Sequence, residues 1–329
     1  MTGLRIGTRG SQLALWQART VAARLEQAGG PACQLVIIKT SGDRLTEASL
    51  SESGGKRLFV KEIEDALLKG DVDLAVHSAK DLPVELPDGL AVAGALPREE
   101  PRDVLVLPAS AAATAGIDEA LAALGERPRI GTSSARRVTQ LMRIMPRARF
   151  EAIRGNLDTR LRKLDEGQTD ALVLAAAGLK RLGFAQRISA LLPIATCVPA
   201  PGQGIVAIEI RADDSAARAA VARIDHPISG AALTAERALV EALGGGCQLP
   251  LGAVALPRDG SGEPATLDLH AIVISLDGTR TVRAHGSGPV GEPEALGRAV
   301  AAKLAAEGAG AILDEVRRQQ ERAPRNPQP

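Results

Sequence analysis

The residue of greatest chemical reach is Cys247, set in Gly244-Gly245-Gly246-Cys247-Gln248-Leu249-Pro250-Leu251-Gly252. Consecutive glycines forbid regular structure and let the backbone come close to a bound group. Residues 233–243 read as a helix that Gly244 stops, and 252–256 read as a strand. The thiol is thus presented on a bare loop between two elements. A free cysteine is more often a small core hydrophobe, and the loop alone favours that plainer reading. A second group is His77-Ser78-Ala79-Lys80-Asp81, which ends the apolar strand Leu74-Ala75-Val76. In a parallel α/β sheet, ligand groups collect outside the carboxyl ends of the strands. Asp81 therefore lies where chemistry is expected, with a loop-capping aspartate as the equal alternative. The third group is basic. Between Arg129 and Lys163 there are ten Lys and Arg residues against only Glu151 and Asp158, so this stretch is expected to meet an anion. Solvated helix faces account for Arg143, Arg147 and Arg162. They account poorly for Arg136 and Arg137, which fall in a first helical turn where cations oppose the dipole. With few local acids, ligand carboxylates are the expected partners, since arginine binds them bidentately. Removing Arg136, Arg137 or Arg160 is expected to impair binding and leave the fold intact.

Alternating elements must position these groups. A strand at 4–8 leads to a helix from about Ser11, striped by Leu15, Ala18, Ala22 and Leu25 and ended by Gly29-Gly30. Leu35-Val36-Ile37-Ile38 reads as a buried strand and Phe59 to Leu68 as a helix stopped by Gly70. Between them, 41–56 is polar and aperiodic, a length usual for a functional loop. A second unit starts near Val104. Its Arg129-Ile130-Gly131-Thr132-Ser133-Ser134 repeats Arg5-Ile6-Gly7-Thr8-Arg9-Gly10-Ser11, and Asp170 to Ala177 loosely echoes Asp73 to Lys80. Two similar lobes would face each other across a cleft, each offering a Gly-Thr turn and a helix N-terminus to an anion. Val198-Pro199-Ala200-Pro201-Gly202-Gln203-Gly204 reads as a crossing back to the first lobe, with a strand over 205–210. Beyond Asp225 come a helix, the cysteine loop, three strands and a helix from Glu292 to Glu307; the tail from Arg322 reads as disordered.

Composition limits the partners. Forty basic residues against 39 acidic ones create no global field for nucleic acid or a membrane. Three Phe, one Trp and no Tyr offer no base-stacking surface. Cys33, Cys197 and Cys247 show neither metal-ligand spacing nor a disulfide framework. With no signal-like N-terminus and no long apolar run, the expected setting is cytoplasmic, with reduced thiols.

From 4 to 315 the chain resembles the porphobilinogen deaminase (hydroxymethylbilane synthase) family. The resemblance is carried by Arg9-Gly10-Ser11-Gln12-Leu13-Ala14-Leu15-Trp16-Gln17, Gly54-Gly55-Lys56-Arg57-Leu58-Phe59-Val60-Lys61-Glu62 and His77-Ser78-Ala79-Lys80-Asp81-Leu82-Pro83. It continues through Gly131-Thr132-Ser133-Ser134-Ala135-Arg136-Arg137, Arg154-Gly155-Asn156 with Thr159-Arg160, Pro201-Gly202-Gln203-Gly204 and the Cys247 loop. Ala79 and Ala135 stand where bulkier residues are expected, and Arg57 where a small one is.

The resemblance implies an α/β fold with two periplasmic-binding-protein-like lobes forming a cleft, plus a small α+β C-terminal domain. The implied domains are 1–100 with 200–222, 101–199, and 223–329. It further implies a dipyrromethane cofactor, thioether-linked to Cys247, on which porphobilinogen molecules condense stepwise with loss of ammonia. Asp81 then looks like the catalytic carboxylate. Arg9, Ser11, Lys80, Thr132, Ser134, Arg136, Arg137, Arg154 and Arg160 look like ligands for acetate and propionate groups, and Phe59 with the preceding loop like a mobile active-site segment. No metal, nucleic acid or membrane is implied, and the chain is expected to be a monomer. The alternative is a two-lobed small-anion binding protein without catalysis, which leaves Cys247 without a role. A thiol hydrolase lacks an evident histidine partner, and a helix-turn-helix reading of 132–143 conflicts with the neutral net charge.

Overall fold

In the computed structural model, residues 3–41, 60–112, 114, 116–245, 249–258 and 265–322 are described, with side chains to 319. The first sheet contains β1 (Leu4–Thr8), β2 (Cys33–Ile37), β3 (Leu74–Ser78), β4 (Leu90–Ala95) and β10 (Val206–Arg211), in spatial order β2-β1-β3-β10-β4. The second contains β5 (Asp103–Val106), β6 (Arg129–Gly131), β7 (Arg149–Glu151), β8 (Ala171–Ala175) and β9 (Ala190–Leu191), in order β7-β6-β8-β5-β9. The two orders superpose strand for strand. In each, one strand supplied from across the crossing, β10 or β5, runs antiparallel to its neighbours.

The sequence echo has a physical basis in this duplication. In the first lobe, Arg5 donates from its backbone N and Nε to Asp73 Oδ2 and from Nη2 to Oδ1 at 2.7 Å. In the second, Arg129 makes the same three bonds to Asp170. Each fork joins the start of one parallel strand to the start of its neighbour, so the repeat preserves strand pairing.

The helices are α1 (Gln12–Gln27), α2 (Lys61–Leu68), α3 (Ile117–Ala122), α4 (Ala135–Leu141), α5 (Leu157–Asp165), α6 (Ala176–Arg181), α7 (Ser215–Val221), α8 (Pro227–Ala242), α9 (Pro293–Ala306) and α10 (Ala309–Arg322). Ser11 caps α1 by accepting from the Ala14 amide at 3.3 Å. Its buried face is Ala18, Val21, Ala22 and Leu25. The expected buried strand at 35–38 is instead the edge strand β2. Among the described residues it pairs only with β1, which places it at the end of the sheet order and leaves Ile37 57% exposed.

The third unit is the antiparallel sheet β11 (Leu251–Pro257), β12 (Thr266–Ile274) and β13 (Thr281–Pro289). One face packs on α8, α9 and α10 through Leu239, Leu269, Val300 and Leu313. The other lays Val254, Ile272 and Ile274 on Val198, between the lobes. Helix α10 lies beyond the last helix expected from the sequence, and its buried Ala309, Ile312, Leu313 and Val316 repeat at helical spacing.

The chain crosses between lobes at 96–102 and returns at 198–205, and the two crossings are joined by the Glu99 amide donating to Gly204 O at 3.0 Å. A buried ion pair holds them to the third unit. Arg98 donates to Gln203 O at 2.9 Å and to Glu236 Oε1 at 2.5 Å. Glu236, on α8, accepts from the Gly202 and Ala255 amides. Both crossings therefore rest on one buried carboxylate. Among the described residues, no helix is long and apolar enough to cross a membrane.

Candidate active site

Lys80 and Asp81 lie in a single 3-10 turn, Ala79–Asp81, at the carboxyl end of β3. The return crossing clamps this turn. The Ala79 amide donates to Ile205 O at 3.0 Å. Gly202 sits at φ +76°, so close that a Cβ there would meet Ala79 C at 2.8 Å and Lys80 N at 2.9 Å. Pro201-Gly202-Gln203-Gly204 is therefore a tight backbone clamp behind the two charged residues, and glycine at 202 answers both the positive φ and the close approach.

Groups from the second lobe meet this turn. Lys80 is lowered to about 8, first by burial and then by Arg137 and Arg136, against the opposing pull of Asp81 and Asp103. Arg160 is lowered to about 10 by burial and by Arg137, with Asp81 opposing. Asp81 of one lobe and Arg137 and Arg160 of the other thus share one electrostatic environment. Arg160, on α5, donates from Nε to Gly155 O at 2.8 Å. Gly155 itself has φ +108°, and a Cβ there would strike Thr159 at 2.7 Å. That turn brings the loop carrying Arg154 back against the first turns of α5.

Arg136 and Arg137 are buried, and both pair with a protein acid, which sequence reasoning did not foresee. Asp103, fully buried at the start of β5, accepts from Arg136 Nη1 at 2.7 Å and from Arg137 Nε and Nη2 at 3.0 and 2.8 Å. Gln203 Nε2 donates to it at 3.0 Å, and Cys197 Sγ lies 3.4 Å from its other oxygen. Burial pushes the Asp103 carboxyl upward, but the two guanidiniums and their hydrogen bonds outweigh it and hold the carboxyl well below the usual range. Each of the two arginines balances a buried charge, so removing either is expected to cost stability as well as binding.

The remaining candidates fall into place unequally. Arg9 and Ser11 lie between β1 and α1, where Ser11 already serves as cap. Thr132 is buried and accepts from the Ser134 amide at 3.3 Å. Ser134 is the N-cap position of α4 and makes no side-chain cap bond. Cys247, Phe59 and the loop before it lie outside the described residues. The flanks of the cysteine are as expected: α8 ends at Ala242, Gly244 and Gly245 have φ of +85° and +63°, and β11 starts at Leu251.

The other two thiols are poor nucleophiles. Cys197 is pushed up to about 12 by burial and by Asp103. Burial also raises Cys33, with Glu26 adding to it. Sequence reasoning missed Asp103, Gln203 and Arg181. A single acid ahead of an apolar strand gives no spacing signal. Arg181, on α6, lies outside the basic stretch, yet it sits 5.6 Å from the ring centre of Trp16 in the first lobe and donates to Gly204 O at 2.6 Å. Among the described residues, no group of three or more His, Cys, Asp or Glu could hold a metal ion.

Comparison with known proteins points to one family along the chain. Residues 4–219 match the family model described as porphobilinogen deaminase, dipyromethane cofactor binding domain. Residues 231–306 match the model described as porphobilinogen deaminase, C-terminal domain. The porphobilinogen deaminase of Geobacter metallireducens is 48% identical over 314 residues, covering 95% of this chain and 94% of that one. That of Moorella thermoacetica is 46% identical over 320 residues, covering 97% and 98%. With both models matched in order and relatives similar along nearly their whole length, the chain belongs to the porphobilinogen deaminase family.

Proposed function

We propose that this chain is a transferase that condenses four porphobilinogen molecules onto a dipyrromethane primer held by Cys247, losing ammonia at each step and releasing hydroxymethylbilane by hydrolysis. One observation carries the reading: Asp81 of the first lobe shares its surroundings with Lys80 and with Arg137 and Arg160 of the second. Lys80 is driven down to about 8 there, by burial and then by Arg137 and Arg136. A site that discourages its own lysine from being charged is suited to bound carboxylates, and every ring of substrate and primer carries an acetate and a propionate. The donor set therefore fits the cofactor, with Lys80, Arg160, Arg154, Arg9, Ser11, Thr132 and Ser134 as candidate ligands of those groups. Arg136 and Arg137 keep donors for a ligand only beyond those that Asp103 engages.

The bound dipyrromethane would supply a nucleophilic pyrrole carbon to which the first substrate ring is joined. Asp81 protonates the departing amine of each incoming pyrrole. Its carboxylate then faces the positive charge that develops on the ring nitrogen. One positioned carboxylate can do both. The clamp at Gly202 holds Asp81 and Lys80 in place while the lobes move about the crossings. Division at 1–100 with 200–222, 101–199 and 223–329 follows the three sheets and is part of this proposal, as are a monomeric state and a cytoplasmic setting.

Denaturing intact-mass measurement tests the reading. The purified protein should exceed its sequence mass by two pyrrole units, mapped to Cys247 and absent from Cys247→Ser. Brief exposure to porphobilinogen should add further single-ring increments. A mass equal to the bare chain, with no increments, would favour the non-catalytic anion-binding alternative.

A further inference from the structure

A second concentration of positive charge lies away from the cleft, at the joint between the second lobe and the third unit. Arg136, Gln140 and Arg143 follow one another at i, i+4 and i+7, so they share one side of α4 and its C-terminal extension. Arg136 and Gln140 are engaged with the return crossing, both donating to Val198 O. Arg143, one turn further on, reaches the third unit and donates from Nη1 to Thr281 Oγ1 at 3.2 Å. Arg283 lies two residues along β13 from Thr281 and so projects from the same face of the sheet. Arg143, Arg283, Thr279, Thr281, Gly278 and Glu307 line an open cleft of about 540 Å³, within the size range of small-ligand sites.

Two guanidiniums share this cleft, and the carboxylate that also lines it, Glu307, pairs with neither among the described residues. Among the described residues, neither Arg143 nor Arg283 is in an ion pair. The nearby acids are committed elsewhere: Asp277 accepts from Ser275 and Thr279, and Glu315 pairs with Arg280. Glu307 lines the cleft but forms no ion pair among the described residues. The repulsion is felt: burial, and then the charge of Arg143, lowers Arg283 below its ordinary value. Like charges held together at a domain joint are relieved by an anion that accepts from both.

We propose that this cleft binds a small doubly charged oxyanion that bridges Arg143 of the second lobe and Arg283 of the third unit, with the Thr281 hydroxyl as a further donor. The site is separate from the catalytic cleft and does not depend on the proposed reaction. Its occupant ties the far end of α4 to the third unit, and the first turn of that helix carries Arg136 and Arg137. Occupancy thus couples the docking of the third unit to the basic wall of the cleft.

The probes are inorganic phosphate and succinate, titrated into cofactor-loaded enzyme by calorimetry at constant ionic strength set with chloride. Both arginines are exposed, so Arg143→Gln/Arg283→Gln should fold and keep its anion-free activity. One class of binding event should weaken at least about tenfold in the double variant and recover partly with Arg283→Lys, since both charge-assisted donors are lost and lysine restores one charge. Preference for phosphate identifies a tetrahedral oxyanion, preference for succinate a dicarboxylate, and equal binding a general dianion site. If the double variant binds both probes as the parent does, the anions act only in the catalytic cleft and the proposal fails. It fails equally if neither probe binds more tightly than chloride.

Discussion

Asp103→Asn removes one charge from a site with no access to water, and the cost can be worked from its partners. Oδ1 accepts from Arg137 Nε and Nη2 and from Gln203 Nε2, while Oδ2 accepts from Arg136 Nη1 and faces Cys197 Sγ. An asparagine amide must present N–H groups where one of these oxygens stood, donor against donor. The two buried guanidiniums then lack their counter-charge. Breaking a buried ion pair from one side costs about 3–5 kcal/mol. At about 2–4 °C per kcal/mol for a unit of this size, the melting temperature should fall by roughly 6–20 °C. Differential scanning calorimetry reads the transition, and intact mass reads cofactor loading, which should fall because Arg136 and Arg137 lose their orientation. The acid response gives an independent sign. The folded carboxyl lies well below its reference value of 3.8, so its stabilisation is complete above that pH and fades as pH falls further toward the folded value. The parent should therefore lose stability below about pH 4 more steeply than Asp103→Asn. Replacing Asp103, Arg136 and Arg137 together by apolar residues should recover stability without recovering function, because no buried charge is left unpaired. A single variant melting within about 2 °C of the parent, with full cofactor, would show that the buried cluster contributes nothing.

Three further outcomes are expected. Asp81→Asn should fold and load cofactor but slow elongation on the order of 100- to 1,000-fold, with Asp81→Glu less impaired; single-turnover kinetics at the parental rate would place the acid elsewhere. Lys80, lowered to about 8, should lose its proton as pH rises through that value, so kcat/KM should decline on the alkaline side; Lys80→Arg, which stays charged, should flatten that limb. Conversely, the burial penalty on charged Lys80 disappears as pH rises from about 8 toward 10.5, so this group alone makes the fold more stable there, a trend read by chemical denaturation across that range. Gly202→Ala should cost about 1–3 kcal/mol in backbone strain, and more activity than stability, since its Cβ would displace the backbone of Lys80. Unchanged kcat with lowered stability would mean that the clamp does not set the position of the site.

Much of this protein was legible in the chain itself. The repeat of Arg-Ile-Gly-Thr predicted two lobes, and the structure shows why it survives: Arg5 and Arg129 make the same fork to Asp73 and Asp170. Local patterns of this kind persist because they are enforced over a few residues, by strand period, helix caps and glycines at positive φ. The same holds for the Lys80-Asp81 turn at a strand end and for the glycines flanking the cysteine loop. Helix α10 is equally local, with Ala309, Ile312, Leu313 and Val316 buried at helical spacing. What the tertiary structure alone decided is long-range and depends on burial. Asp103 meets Arg136, Arg137 and Gln203 across 33, 34 and 100 residues, and no spacing announces such a pairing. The apolar run at 35–38 carries the composition of a central strand, yet it lies at a sheet edge, because strand order is settled by how the crossings fold back and not by the strand's own residues. Charge type and local geometry can be read from a sequence; which charges neutralise one another, and which are left to face a ligand, is set when distant segments close around them and exclude water.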